Sequence, residues 1–343
     1  MKIRLPHEII FKGVIMNITR RRFLKTGGIT ILAAAGTPLF FSGCSDTKSQ
    51  STDSGRTIIK VGYLPITHSW PLFVLMEKYG SEMKKARIEP VKFTSWPDLT
   101  EALNAGKLQA AITMFEIVLA SRIKGLPIEI LALSHRNGDF ITSSLEINGL
   151  EDLRGRTVAI PHRLSGHNIL LYKALKDKGI PYSEVRVREM PPPDMPAALA
   201  SGEIAAYVVA EPFGSQSVLN GKGKILISAD SIWPNWTCCG VAATTDMITA
   251  NEEPMREFIR YFVRAGKDIQ TDPGMATAAA QKYTGVKKKY WKQALTWTNY
   301  SDLKPDAGEL AMINDYLVEM GVLHQKVNVN EIIRGRFAEE FEG

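Results

Sequence analysis

The chain has 343 residues, 42 Lys and Arg against 36 Asp and Glu, and three cysteines. Seven of the basic residues and one acid, Glu8, precede Cys44, so the remainder carries 35 of each sign and is neutral. That balance excludes a nucleic-acid partner held by net charge, and so few cysteines exclude a disulfide framework.

The first element is a leader. Residues 17–46 combine Arg20, Arg21 and Arg22, an apolar run at 29–41 and the lone Cys44. The run is shorter than the roughly 20 residues of a membrane-spanning helix. Its order, basic then apolar then small, is that of an export signal. Thr19-Arg20-Arg21-Arg22-Phe23-Leu24-Lys25 resembles the twin-arginine signal S/T-R-R-x-F-L-K. Phe41-Ser42-Gly43-Cys44 resembles a bacterial lipobox, with Phe41 in place of the usual leucine. Residues 1–43 are therefore expected to be an export signal, starting at Met1 or Met16, with Cys44 the lipidated residue. Residues 44–56 are expected to be a flexible tether, since 45–56 hold no apolar side chain.

From Thr57, short β-branched runs alternate with helical segments. Strands are expected at 58–63, 88–93, 108–113 and 128–133, with helices at 72–79, 97–104 and 115–124. Strand 157–160, helix 165–178, strand 185–190, helix 194–200, strand 204–209 and helix 212–220 repeat the theme. Helices at 254–270, 275–283, 287–295 and 306–320, with a piece near 331–341, close the chain. Strands alternating with helices predict an α/β protein with mostly parallel sheets covered on both faces.

An internal repeat sharpens this. PDLTEALNAGKLQAA at 97–111 aligns with PDMPAALASGEIAAY at 193–207, a constant offset of 96 that also places Gly125 on Gly221. Both copies read as an N-cap Asp, an apolar helix face, a Gly C-cap and a strand. Two similar lobes facing across a cleft follow, and such clefts are preferred ligand sites.

VGYLPITHSWPLFVLMEKYG, ALNAGKLQAAI, LEDLRGRTVAIP, ALASGEIAAYVVAEPFGSQS and KILISADSIWPNWTCCGVAAT together resemble the periplasmic binding proteins of ABC importers for nitrate, sulfonate, taurine and bicarbonate. Relatives in the same fold bind pyrimidine precursors of thiamine. The resemblance runs from about Ile58 to about Leu323. It implies a type II-like two-lobed clamp with crossover strands near 143–147 and 240–244. Lobe 1 is then 57–145 plus 246–343, and lobe 2 is 146–245. It further implies a small-molecule ligand, a permease and an ATPase as partners, and no catalysis. The expected protein is an exported monomer, held at the membrane by lipid on Cys44.

Ligands in such folds meet the loops after strands and the helix starts that follow, where free N–H groups suit anions. Four loops qualify: Thr67-His68-Ser69-Trp70, Trp96 with its neighbour Ser95, Phe115-Glu116, and Ser165-Gly166-His167. Helix capping is the competing reading for Thr67, Ser69 and Glu116. The resembled family often has an acid–Pro–aromatic triplet like Glu211-Pro212-Phe213 at the cleft, and a buried carboxylate there needs a cation such as a ligand ammonium, Arg163 or His167. Trp233, Trp236, Cys238 and Cys239 crowd the segment before the second crossing. With Trp70 and Trp96 they suggest apolar walls for a ligand with an organic part, a sulfonate- or taurine-like anion or zwitterion. No cofactor is expected, and no compact metal spacing such as C-x-x-C or H-E-x-x-H occurs. Two alternatives stay open. A thiamine-pyrimidine synthase shares the fold, but Cys238-Cys239 is followed here by Gly240 and His68 is one residue out of place. A ligand sensor is the other.

Overall fold

A computed structural model of the chain describes residues 52, 53 and 55–341. The twin-arginine stretch, Cys44 and most of the tether lie outside the described residues. The tether ends earlier than expected. Thr52–Asp53 pairs antiparallel with Arg56 and Thr57, and Arg56 opens the strand Arg56–Tyr63.

Two sheets of the same design organise the body. The first runs Ala86–Lys92, Arg56–Tyr63, Ala110–Met114, Cys239–Thr244, Ile128–Leu133. The second runs Arg186–Glu189, Thr157–Ile160, Ala206–Ala210, Asp139–Ser143, Lys224–Ser228. In each, three parallel strands are followed by an antiparallel strand and then by a fifth antiparallel to that one. The sequence repeat is a structural repeat. Strands Ala110–Met114 and Ala206–Ala210 match at the offset of 96. Gly106 and Gly202, which end the preceding helical turns, both take the left-handed conformation, at φ 67° and 78°, where a Cβ would be strained.

The fourth strand of each sheet comes from the other half of the chain, and this corrects two boundaries. The crossings were expected at 143–147 and 240–244. Instead Asp139–Ser143 belongs wholly to the second sheet and Cys239–Thr244 wholly to the first. The chain therefore passes between sheets at 134–138 and 229–238. Packing explains the shift: Ile141 lies between Val208 and Ile227, and Val241 between Ile112 and Ala132. Each inserted strand is flanked on both sides within a sheet, not left spanning a gap.

Helices cover both sheet faces, so Ala110–Met114, Ile128–Leu133 and Ala206–Ala210 are buried throughout. The expected helix at 72–79 is an α-helix, Trp70–Val74, continued by a π-turn, Leu75–Tyr79. The C-terminal helices return to the first lobe. Glu252–Thr271 buries Met255, Phe258, Ile259, Phe262 and Ile269, one face of a 3.6-residue period. Its Glu257 carboxylate accepts the backbone N–H groups of Lys84, Lys85 and Ala86. No described helix is long and apolar enough to cross a membrane.

The two passages lie side by side. Ser134 N–H donates to Cys239 O at 3.0 Å, and Asn137 N–H donates to Trp236 O. Thr237 Oγ1 donates to His135 O at 2.9 Å. Asn137 and Gly138 turn the first passage through φ of 58° and 85°. Its Arg136 is anchored outward, to Asp302, Glu309 and the carbonyl of Asn235.

Candidate functional site

The segments that follow the inner strands of the two sheets meet at these passages, the usual place for ligand loops in α/β proteins. From the first lobe come the turn Thr67–Ser69 and the start of helix Phe115–Ile123. From the second come the start of helix Gly166–Asp177 and Glu211, directly after strand Ala206–Ala210. Thr67 N–H donates to Glu211 O at 2.9 Å, a direct backbone bond from lobe to lobe. Tyr300 Oη holds the Thr67 carbonyl from behind, also at 2.9 Å.

Asp139 is the hub. It opens the inserted strand of the second sheet and is fully buried. His167 Nε2 lies 2.8 Å from its Oδ1, and Trp236 Nε1 donates to its Oδ2 at 2.9 Å. His68 Nε2 stands 3.4 Å from Oδ1. Burial alone would raise the Asp139 pKa, but the neighbouring His68 and His167 hold the carboxyl well below the usual range. Asp139 is thus a buried anion that orders the His167 and Trp236 rings, with His68 close by. Burial pushes His68 far down and His135 to about 4, so both are neutral imidazoles at pH 7. Their rings stack with centroids 3.3 Å apart. Cys238 and Cys239 complete the group as free thiols, whose pKa values burial raises.

Two further carboxyls are buried beside this hub. Glu116 and Glu211 are each pushed up to about 8, chiefly by burial and further by the charge of Asp139. They differ in their partners. Glu211 accepts the Ser215 N–H, whereas neither oxygen of Glu116 has a partner. Thr67 Oγ1 and His167 Nδ1 are likewise buried without partners. Such groups are rare in protein interiors because each costs about 1–3 kcal/mol. Among the buried described residues Arg136 is the only Lys or Arg, and its guanidinium is already committed.

The model of the NMT1-like family matches residues 53–283, more than half of the chain. The chain belongs to that family. This NMT1-like chain is 27% identical over 196 residues to the nitrate import ATP-binding protein NrtC of Synechocystis sp., covering 51% of the chain and 29% of NrtC. It is 24% identical over 294 residues to the nitrate/nitrite binding protein NrtA of Nostoc sp., covering 73% of the chain and 66% of NrtA. It therefore spans less than two thirds of either relative. Among solved structures it is similar to a ligand-binding component of an ABC-type import system from Staphylococcus aureus with zinc bound. That pair shares 29% identity and a TM-score of 0.77, over 83% of this chain and 98% of the other. The fold is that of the periplasmic binding proteins.

Within this NMT1-like site the structure sorts the residues expected from sequence. Thr67, His68, Glu116, Gly166, His167, Glu211, Trp236 and Cys238 come together around the passages. Phe115 supports them: its N–H donates to Cys238 O at 3.0 Å and its ring lies under Gly240. Ser165 is a cap, accepting Asn168 N–H at 3.2 Å. Ser69 turns its hydroxyl back to Leu64 O at 2.9 Å and starts a helix of only five residues. Trp70 packs on Trp291 and Tyr300 in the first lobe. Trp96 is buried at the start of helix Trp96–Asn104, with no partner for its indole N–H. Trp233 forms an outer layer against Trp236 and Tyr316.

The cation expected beside Glu211 is not supplied by the residues named for it. His167 pairs with Asp139, and Arg163 is exposed whereas Glu211 is fully buried. His135 and Asp139 join the site although no sequence pattern assigned them a role in binding, and Cys239 joins it beside Cys238. The one available signal was their position, just past an apolar strand at an Asn-Gly turn or just before a strand.

The two lobes approach closely at Gly166. A Cβ there would stand 2.4 Å from Trp236 Cζ2, 2.8 Å from Cys238 Cβ and 2.9 Å from Glu116 Oε1. Gly166→Ala is expected to wedge the lobes apart. Small-angle scattering should then give a larger radius of gyration than wild type, and an unchanged radius would contradict this packing.

Proposed function

We propose that this chain is the extracytoplasmic binding component of an ABC importer and that its ligand is a small zwitterion of the taurine or amino-sulfonate kind. One observation carries the reading. Polar groups from both lobes are buried at the seam without partners, Thr67 and Glu116 on one side and His167 on the other. A ligand bridging them would stabilise the closed form by contacts absent from the open one.

The kind of group on each side argues for the ligand class. Glu116 is suited to an ammonium, which would replace the missing cation and let the carboxyl ionise. If His167 donates its Nε2 proton to Asp139, its Nδ1 accepts as well. The Thr67 hydroxyl can donate to an oxyanion head. A bare anion such as nitrate or bicarbonate meets no Lys or Arg here and is served less well. The role expected for Glu211 thus passes mainly to Glu116.

A thermal-shift panel of taurine, an alkane sulfonate, nitrate and bicarbonate tests this. A ligand at about 100 times its Kd should stabilise the protein by about 2.7 kcal/mol. Taurine-like compounds are expected to give the largest shift, and no shift from any of the four would refute the ligand class.

Export and anchoring belong to the same proposal. Arg20 and Arg21 direct the chain outward, Cys44 carries lipid, and a permease and an ATPase receive the ligand. Cys44→Ser should move the mature protein from the membrane fraction to the soluble fraction on cell fractionation. A wild type that is already soluble would contradict lipidation.

A further inference from the structure

We propose that His68, His135, Cys238 and Cys239 form a site for one divalent transition-metal ion of the zinc type. Such a site stands whether or not the chain serves transport. All four residues are buried, and one ligand atom from each lies within 4.8 Å of every other.

The spacing fits a tetrahedron. His68 Nδ1 is 3.4 Å from Cys239 Sγ and 3.7 Å from Cys238 Sγ. Cys238 Sγ is 3.7 Å from His135 Nε2 and 3.5 Å from Cys239 Sγ. A tetrahedron with bonds of about 2.3 Å to sulfur and about 2.0–2.1 Å to nitrogen has edges of roughly 3.3–3.8 Å. Four of the six edges therefore already have the required length, while the stacked His68 and His135 rings, with planes 10° apart, must turn for both lone pairs to meet one ion. The sulfurs are too far apart for a disulfide, which needs about 2.05 Å.

The second layer sets which ring nitrogens are free to ligate. His135 Nδ1 lies 2.8 Å from Asn137 O, so that nitrogen carries the proton and Nε2 offers its lone pair toward Cys238. His68 turns Nε2 toward Asp139 and Nδ1 toward both sulfurs. A carboxylate or carbonyl behind each ligating imidazole is the usual outer support of a metal site. The donor set selects the ion. Two imidazoles and two thiols favour a borderline-soft metal over magnesium or calcium. Loss of both thiol protons on binding would leave two thiolates and a dication, a neutral group suited to burial.

Position gives the site a consequence. His135 lies on one passage, Cys238 ends the other, Cys239 opens the inserted strand of the first sheet, and His68 follows that sheet's Arg56–Tyr63 strand. An ion held by all four would tie both passages to the first lobe. The donors lie far apart in sequence, which is why no compact spacing announces them.

The test uses the mature protein, reduced and stripped of metal, titrated with zinc against a chromophoric chelator and separately with cobalt(II). One equivalent should bind, and the cobalt form should show thiolate-to-metal charge transfer with tetrahedral d–d bands. Cys238→Ser with Cys239→Ser should abolish the charge-transfer band and weaken zinc binding beyond the roughly 10–100-fold typical of outer-layer changes. His135→Gln should weaken zinc comparably while keeping the band, which covers the case in which the double variant fails to fold. No stoichiometric uptake by wild type, a cobalt spectrum without thiolate bands, or zinc binding unchanged in folded His135→Gln would overturn the site.

Discussion

Replacing Glu116 with glutamine is expected to raise stability at pH 8 while leaving it nearly unchanged at pH 5. The carboxyl titrates at about 8 in the folded protein against an ordinary 4.5. Between those values the unfolded chain is ionised and the folded one is protonated, so the folded state holds more protons. Stability from this group is therefore full below pH 4.5 and is lost as pH rises toward 8. At about 1.4 kcal/mol per pH unit, the loss reaches about 4–5 kcal/mol if the carboxyl stays dry. Glu211 acts with the same sign. Glutamine carries no charge at any pH, and at 211 it can still accept the Ser215 N–H. Chemical denaturation from pH 6.5 to 8, above the range in which the buried neutral His68 and His135 act with the opposite sign, should show wild type losing stability, Glu116→Gln losing less and the double variant least. Parallel curves for the three proteins would mean that the carboxyls hydrate readily and that the seam is not dry.

Asp139→Ala is expected to cost about 3–5 kcal/mol. It strands the Trp236 indole N–H and the His167 ring, each now bonded to a buried anion, and one hydrogen bond to a charged group contributes about 1.5–3 kcal/mol. Trp236→Phe removes one of these bonds and should cost less than Asp139→Ala. Urea midpoints at an unchanged m-value measure both. A loss below about 1 kcal/mol for Asp139→Ala would show that Asp139 does not organise the seam.

The lobes were legible in the sequence because their signals are local. Periodicity marked the strand 128–133 and the helix 115–124 to within a residue of Ile128–Leu133 and Phe115–Ile123. The repeat at offset 96 announced the symmetry of two sheets, down to the left-handed Gly125 and Gly221. The inserted strands were harder to place. Asp139–Ser143 and Cys239–Thr244 are short, and only their partners in the opposite half of the chain define them.

The site divides in the same way. Gly166, Glu116 and Glu211 sit at helix starts or just past strands, positions that can be read from pattern. Asp139 and His135 follow an apolar run and resemble ordinary turn residues until the fold brings His167, Trp236 and Cys238 to them. Tryptophan count misled in the other direction. Trp70 and Trp96 suit a ligand wall by composition, yet Trp70 is taken up by Trp291 and Tyr300 inside one lobe.

A zwitterion that closes the two lobes must do so by giving Glu116 the cation it lacks. Titration calorimetry of taurine at pH 7, in two buffers of different ionisation enthalpy, decides this. Bound taurine should ionise a carboxyl that is otherwise protonated, so the heats should differ between buffers and report proton release approaching one per site. Glu116→Gln should bind more weakly and release none. Buffer-independent heats with equal affinity in wild type and Glu116→Gln, or no heat at all from wild type, would rule this closure out.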